Sequence, residues 1–80
     1  MDRAGIHKQL TAVFHDVFDD ESIVLSDKTT AKDIPDWDSL THVNLIVAVE
    51  KAFKVRFSTK DVQGLANVGE FIDLLARKLG

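Results

Sequence analysis

The chain has 80 residues, 45% of them hydrophobic and 29% charged, and its 13 acids against 10 bases leave a formal charge of −3. This is the composition of one small globular domain, spanning residues 1–80, with a thin core, since a chain of this size buries only about 60–65% of its unfolded surface. The absence of cysteine excludes disulfide scaffolds, Cys-based zinc sites and cysteine nucleophiles; the acidic balance argues against nucleic-acid binding; and the longest apolar run, the five residues Leu45-Ile46-Val47-Ala48-Val49, is too short for membrane insertion or a signal segment.

Ile6, Leu10, Val13, Phe14, Val17 and Phe18 fall on one stripe of a 3.6-residue period, which predicts a helix over about residues 3–18. Residues 19–38 have no sustained period. They hold most of the acids, including Asp19, Asp20, Glu21, Asp27, Asp33, Asp36 and Asp38, and Pro35 biases Ile34 away from helix. A connection of about 20 residues in so small a domain is expected to pack on the core, with Ile23, Leu25, Ile34 and Trp37 as anchors. Asp38 is a good N-cap, and Leu40, Val43, Ile46, Val47 and Phe53 mark a second helix over about residues 39–53. Its apolar surface is wider than one stripe, which means heavy burial or a face offered to a partner. Ser58-Thr59-Lys60-Asp61 has the form of a capping box opening a short helix at 59–64, closed by Gly64. Asn67-Val68-Gly69-Glu70 is a second box, followed by Val68, Phe71, Ile72, Leu75 and Leu79 at helical spacing, with Gly80 at the stop. The expected fold is all-α: a small four-helix bundle of three main helices and one short helix, with a long first loop and a core that includes Val13, Phe14, Val17, Val43, Val47, Phe53, Phe71, Ile72 and Leu75.

Several common chemistries fail on spacing. An EF-hand around Asp33, Asp36 and Asp38 lacks its central Gly and has Leu40 at a ligand offset. No two of His7, His15 and His42 stand at i, i+3 or i+4, so no helix face offers a His pair to a metal; His7 and His15 read as surface residues. Ser39 and His42 are three apart and could touch on one helix, but no nucleophile elbow or oxyanion hole accompanies them. Trp37 either seals the core or anchors a partner.

Asp38-Ser39-Leu40 stands at a helix start after a long acidic loop, and an apolar helix reading Val43-Asn44-Leu45-Ile46-Val47-Ala48-Val49-Glu50 follows. With these motifs, and over nearly its whole length, the chain resembles an acyl carrier protein. The resemblance implies a carrier and not an enzyme. It implies that Ser39 receives 4′-phosphopantetheine from coenzyme A through a phosphopantetheinyl transferase and holds an acyl or related group as a thioester. It further implies loading and transfer enzymes of fatty acid or polyketide biosynthesis as partners, a cytoplasmic setting and a monomer. The transferase would supply the base and the Mg²⁺. The physics of the position agrees. A Ser in the first helical turn exposes its Oγ beside unpaired backbone N–H groups, and a phosphodiester there gains on the order of 0.3–1 kcal/mol. The partner face is expected to comprise Asp36, Trp37, Asp38, Leu40, Val43, Asn44, Val47 and Glu50. A seam between the β-branched residues of the second helix and Gly64 and Ala66 is expected to part for an acyl chain.

Two features depart from the common pattern of that family. Ile34-Pro35-Asp36-Trp37 replaces the usual Leu-Gly-x before Asp-Ser-Leu, which sets Trp37 near the serine. Residues 39–54 hold one acid and two bases, where fatty-acid carriers are strongly acidic, which points to a specialised pathway. The alternative reading is an unmodified helical interaction module.

Overall fold

The computed structural model describes residues 2–63 and 65–79. Its helices are α1 (Arg3–Phe18), α2 (Ser39–Phe53), α3 (Thr59–Gln63) and α4 (Val68–Leu79), with a 3₁₀ turn at Ala31–Asp33 and no strand among the described residues. The all-α bundle with a long first loop is thus the fold. The helix starts follow from side-chain caps. The Asp2 carboxylate accepts the Gly5 N–H at 2.8 Å, and Ser58 and Asp61 exchange the two bonds of a capping box at 3.0 and 3.1 Å. The expected box before α4 is only half formed. Asn67 Oδ1 accepts from the Glu70 N–H at 2.9 Å, but the Glu70 carboxylate reaches back to the Ala66 N–H at 2.5 Å. The stops expected at Gly64 and Gly80 lie outside the described residues. α1 and α2 end on Asp19 and Lys54, two non-glycine residues in the left-handed region with φ of 50° and 57°.

α1 packs against both α2 and α4. The core joins Ile6, Leu10, Val13, Phe14 and Phe18 to Leu45, Ile46, Val49 and Phe53 and to Val68, Phe71, Ile72 and Leu75. Val17 is half-buried at its margin. Two expected core residues are not in it: Val43 is 60% exposed and Val47 44%. The reason is geometric. At 100° per residue Leu45, Ile46, Val49 and Phe53 share the inward side of α2, while Leu40, Val43 and Val47 form a second apolar stripe roughly opposite. A pattern read only as "apolar" merges the two.

The 19–38 connection is held on the helices, and largely by its main chain. The carbonyls of four alternate residues each take a donor from the bundle. Ile23 O accepts from His15 Nε2–H at 2.8 Å and Leu25 O from His7 Nε2–H at 2.7 Å. Asp27 O accepts the Gly69 N–H at 2.9 Å, and Thr29 O the Val68 N–H at 2.8 Å. The last two satisfy N–H groups that the first turn of α4 would otherwise leave open. His7 and His15, expected as plain surface residues, are therefore half-buried loop anchors. Leu25 and Ile34 are buried as expected, and Ile23 and Trp37 pack against the core. The 3₁₀ turn at Ala31–Asp33, capped by Thr30, was not legible because three residues are too few for a period.

Candidate functional site

The start of α2 is built around Asp38. Its backbone is extended, and its Oδ1 accepts the Leu40 and Thr41 N–H groups, both at 3.0 Å. Thr41 closes the box from the other side. Its Oγ1 accepts the Asp38 N–H at 2.8 Å and donates to Asp36 O at 2.7 Å. The Thr41 N–H first, and next the Thr41 hydroxyl, whose one proton is shared between Asp36 O and Asp38 Oδ1 at 3.1 Å, hold the Asp38 carboxyl below its ordinary 3.8, so it is a carboxylate at neutral pH. Ser39 is thereby fixed as the first residue of α2, exposed, with no hydrogen bond to its Oγ among the described residues. One expectation needs correction. The N–H groups thought free for a phosphodiester are partly taken: Leu40 and Thr41 give theirs to Asp38, and the His42 N–H goes to Asp38 O at 2.8 Å. What the helix start still offers an anion on Ser39 is chiefly its dipole, opposed by the neighbouring Asp38 charge.

Trp37 turns inward. A turn bond from its N–H to Ile34 O at 3.0 Å sets the backbone. The indole meets Phe14 edge-on at 5.2 Å and Phe18 at 6.5 Å, and it lies nearly coplanar with the His42 ring, side by side, with centroids 5.9 Å apart and 18° between the planes. Its Nε1–H donates to His42 Nδ1 at 3.0 Å. His42 is thus bound to the loop and not to Ser39, which removes the geometry a Ser-His pair would need. Burial lowers the His42 pKa below 6.5, in keeping with a neutral ring whose Nδ1 lone pair is in use. This role escaped the sequence reading. The available signal was the helical period, because His42 falls on the inward side of α2 with Leu45, Ile46 and Val49.

Ala31, Trp37, Asp38, Ser39, His42, Leu65 and Ala66 line an open groove of about 450 Å³ with Ser39 at its edge. On the other side of His42, a groove of about 270 Å³ is lined by Val43, Ile46, Val47, Phe57 and Val62 among others. The expected seam is thus divided: Val43, Ile46 and Val47 share a groove with Phe57 and Val62, Val49 is buried in the core, Ala66 lines the groove with Ser39, and Gly64 is outside the described residues.

Of the expected partner residues, Asp36, Asp38, Leu40, Val43, Asn44 and Val47 are exposed. Leu40, at 75% exposure, continues the outer stripe of Val43 and Val47 up to Ser39. Glu50 is half-buried and its Oε2 accepts the Phe57 N–H at 2.9 Å, so its charge serves the 54–58 connection. Among the described residues, no group of three or more His, Asp or Glu could hold a metal, and no helix is long and apolar enough to cross a membrane.

No family model matches the chain, and no curated protein matches it. Among solved structures it is similar to the solution NMR structure of a holo acyl carrier protein from Geobacter metallireducens. The two are 49% identical, the match covers 91% of this chain and 84% of that one, and the TM-score is 0.87.

Proposed function

The chain belongs to the acyl carrier protein family, and on that premise we propose that Ser39 is its attachment site for a 4′-phosphopantetheine arm. The observation that carries this is the exposed Ser39 Oγ at the start of α2, fixed by the Asp38–Thr41 box, in a chain 49% identical to a carrier described as holo. The residues at the site fit the group. Ser39 is exposed and lines a groove, and the Asp38–Thr41 box fixes the first turn that presents it. When attached, the arm supplies the thiol that this cysteine-free chain lacks, and with it a thioester.

The roles of the chain's own residues follow. Attachment exchanges the Ser39 Oγ–H bond for an Oγ–P bond. The pyrophosphate of coenzyme A breaks, adenosine 3′,5′-bisphosphate leaves, and the proton passes to a base. No side chain here hydrogen-bonds Ser39 Oγ among the described residues, so the transferase must bring that base, along with Mg²⁺. Asp38 and Thr41 hold the serine still. Asp36 and Asp38 supply negative charge that steers a basic partner, and Leu40, Val43 and Val47 supply the apolar contact beside it. Acyl-loading and acyl-transfer enzymes would dock on the same face.

Intact mass tests the assignment. Incubated with coenzyme A, Mg²⁺ and a broad-specificity phosphopantetheinyl transferase, the wild type should gain one phosphopantetheine and Ser39→Ala none. The variant should keep its helical circular dichroism, because Asp38 still caps and Ala suits a helix. A Ser39→Ala chain that still gains the mass, or a wild type that never does with several transferases, would instead support the unmodified interaction module.

A further inference from the structure

We propose that Trp37 and His42 are positioning residues for Ser39: their pair clasps the loop end onto α2 while His42 is neutral and lets go when His42 takes a proton. The inference rests on Ser39 being the modified serine, and it adds a control on how that serine is presented. The indole is wedged against Phe14 and Phe18, and its polar link is the Nε1–H bond to His42 Nδ1 at 3.0 Å. Trp37 directly precedes Asp38, the residue whose carboxylate caps α2 and fixes Ser39. The clasp and the cap are therefore consecutive links in one short stretch of chain.

The chemistry of the bond sets the sign. A neutral imidazole accepts at Nδ1, whereas an imidazolium carries N–H on both nitrogens and accepts at neither. Protonation would set two N–H donors against each other at hydrogen-bonding distance, so either the indole or the imidazole must move. The other two histidines respond differently. His7 and His15 donate from Nε2 to carbonyls, and a donor remains a donor when the ring is charged. Acid therefore loosens the connection at its Ser39 end and leaves its middle in place. Among the described residues lining the two grooves that His42 borders, Asp38 of the loop end is the charged one, and it is engaged with the Leu40 and Thr41 N–H groups. α3 contributes Thr59, Val62 and Gln63, and the chain before α4 contributes Leu65 and Ala66, none of them titratable. α1 meets the pair through Phe14 and Phe18 on the indole side. Burial lowers the pKa of His42, so the clasp is closed at neutral pH.

Trp37 is the chain's single tryptophan, so its indole N–H gives one unambiguous NMR signal from the unmodified full-length protein. That signal should shift with pH at the same midpoint as the His42 ring, below the ordinary His value of about 6.5. His42→Asn places a carbonyl oxygen where Nδ1 was and cannot titrate, so its indole signal should stay put over the same range. The second readout is the transferase-catalysed mass gain, taken as the ratio of wild-type to His42→Asn rates so that the transferase's own pH dependence cancels. One pH unit below the measured midpoint about a tenth of His42 is neutral, and the ratio should fall about tenfold. Trp37→Phe, which keeps a ring against Phe14 but has no N–H, should lose the step as well. A pH-independent indole signal, an equal titration in His42→Asn, or a flat rate ratio overturns the proposal. A wild type that gains no mass removes the Ser39 reading and the positioning role with it, while the indole titration still decides whether the clasp exists.

Discussion

Gly69 lies in the first turn of α4, directly under the long connection, and replacing it with Ala sets two effects against each other. Ala is the better helix former, by up to about 1 kcal/mol in a helix interior and less in a first turn. The new methyl, however, would stand 2.9 Å from Asp27 O, 3.1 Å from Asp27 Cβ and 3.3 Å from Asn67 Oδ1. The closest of these is main chain and cannot rotate aside. The connection would have to back away by several tenths of an ångström. Doing so would stretch the bonds that Asp27 O and Thr29 O take from the Gly69 and Val68 N–H groups at 2.9 and 2.8 Å. Each bond is worth about 1 kcal/mol net, and overpacking costs about 1–3 kcal/mol. The clash should win, leaving Gly69→Ala about 1–2 kcal/mol less stable than wild type. For a domain of this size, that is a fall in Tm of roughly 5–15 °C. Urea and thermal unfolding followed by circular dichroism measure it, and hydrogen exchange should place the loss at Val68 and Gly69. A variant as stable as wild type or more so would mean that the connection does not sit on α4 as described.

Three further outcomes are expected, besides the mass result for Ser39→Ala. Val43→Ser with Val47→Ser should change stability by less than about 0.5 kcal/mol each, because both side chains are exposed, yet slow modification by the transferase; unchanged kinetics would move the docking face elsewhere. Lys54→Gly should stabilise by about 0.5–1 kcal/mol, since it removes a side chain from a left-handed position at φ 57°; a loss of stability in urea titration would contradict that cap. The Ser58 N–H, and then Lys78 at 3.0 Å, hold the Asp61 carboxyl at about 2 against an ordinary 3.8. Its contribution is complete above pH 3.8 and is lost as pH falls toward 2, so Lys78→Met should raise the acid-unfolding midpoint, and an unmoved midpoint would show the pair to be inert.

What the sequence yielded was what leaves a periodic or capping trace. The bounds of α1 and α2, the cap at Asp38 and the box at Ser58 and Asp61 all agree with the structure, because amphipathic spacing and N-cap chemistry act locally. The misses share a different cause. Val43 and Val47 were placed in the core because an apolar residue on a helix looks the same whether it faces α1 or solvent. The box that Thr41 closes on Asp38 was not anticipated, although an oxygen three residues after a cap can form one. His7 and His15 bond to carbonyls of the long connection 18 and 8 residues away, contacts that leave no periodic trace, whereas His42, five residues from its partner Trp37, left only its place on the inward side of α2. Of the candidate site, the serine and its cap were legible. The inward turn of Trp37 onto Phe14 and His42 was open in the sequence and decided only by packing.

The way the connection is held also bears on how this protein can be handled in the laboratory. Because Ile23, Leu25, Asp27 and Thr29 attach through their carbonyls, the intervening Val24 and Lys28 are exposed, Val24 to 84%. Their side chains can be exchanged without touching a bond that holds the loop. Since the chain contains no cysteine, Val24→Cys would introduce a single addressable thiol in the chain before any arm is attached. A fluorophore, a spin label or a surface tether could be attached there, on the connection that leads to Ser39, while the helix start and its serine stay free for enzymes.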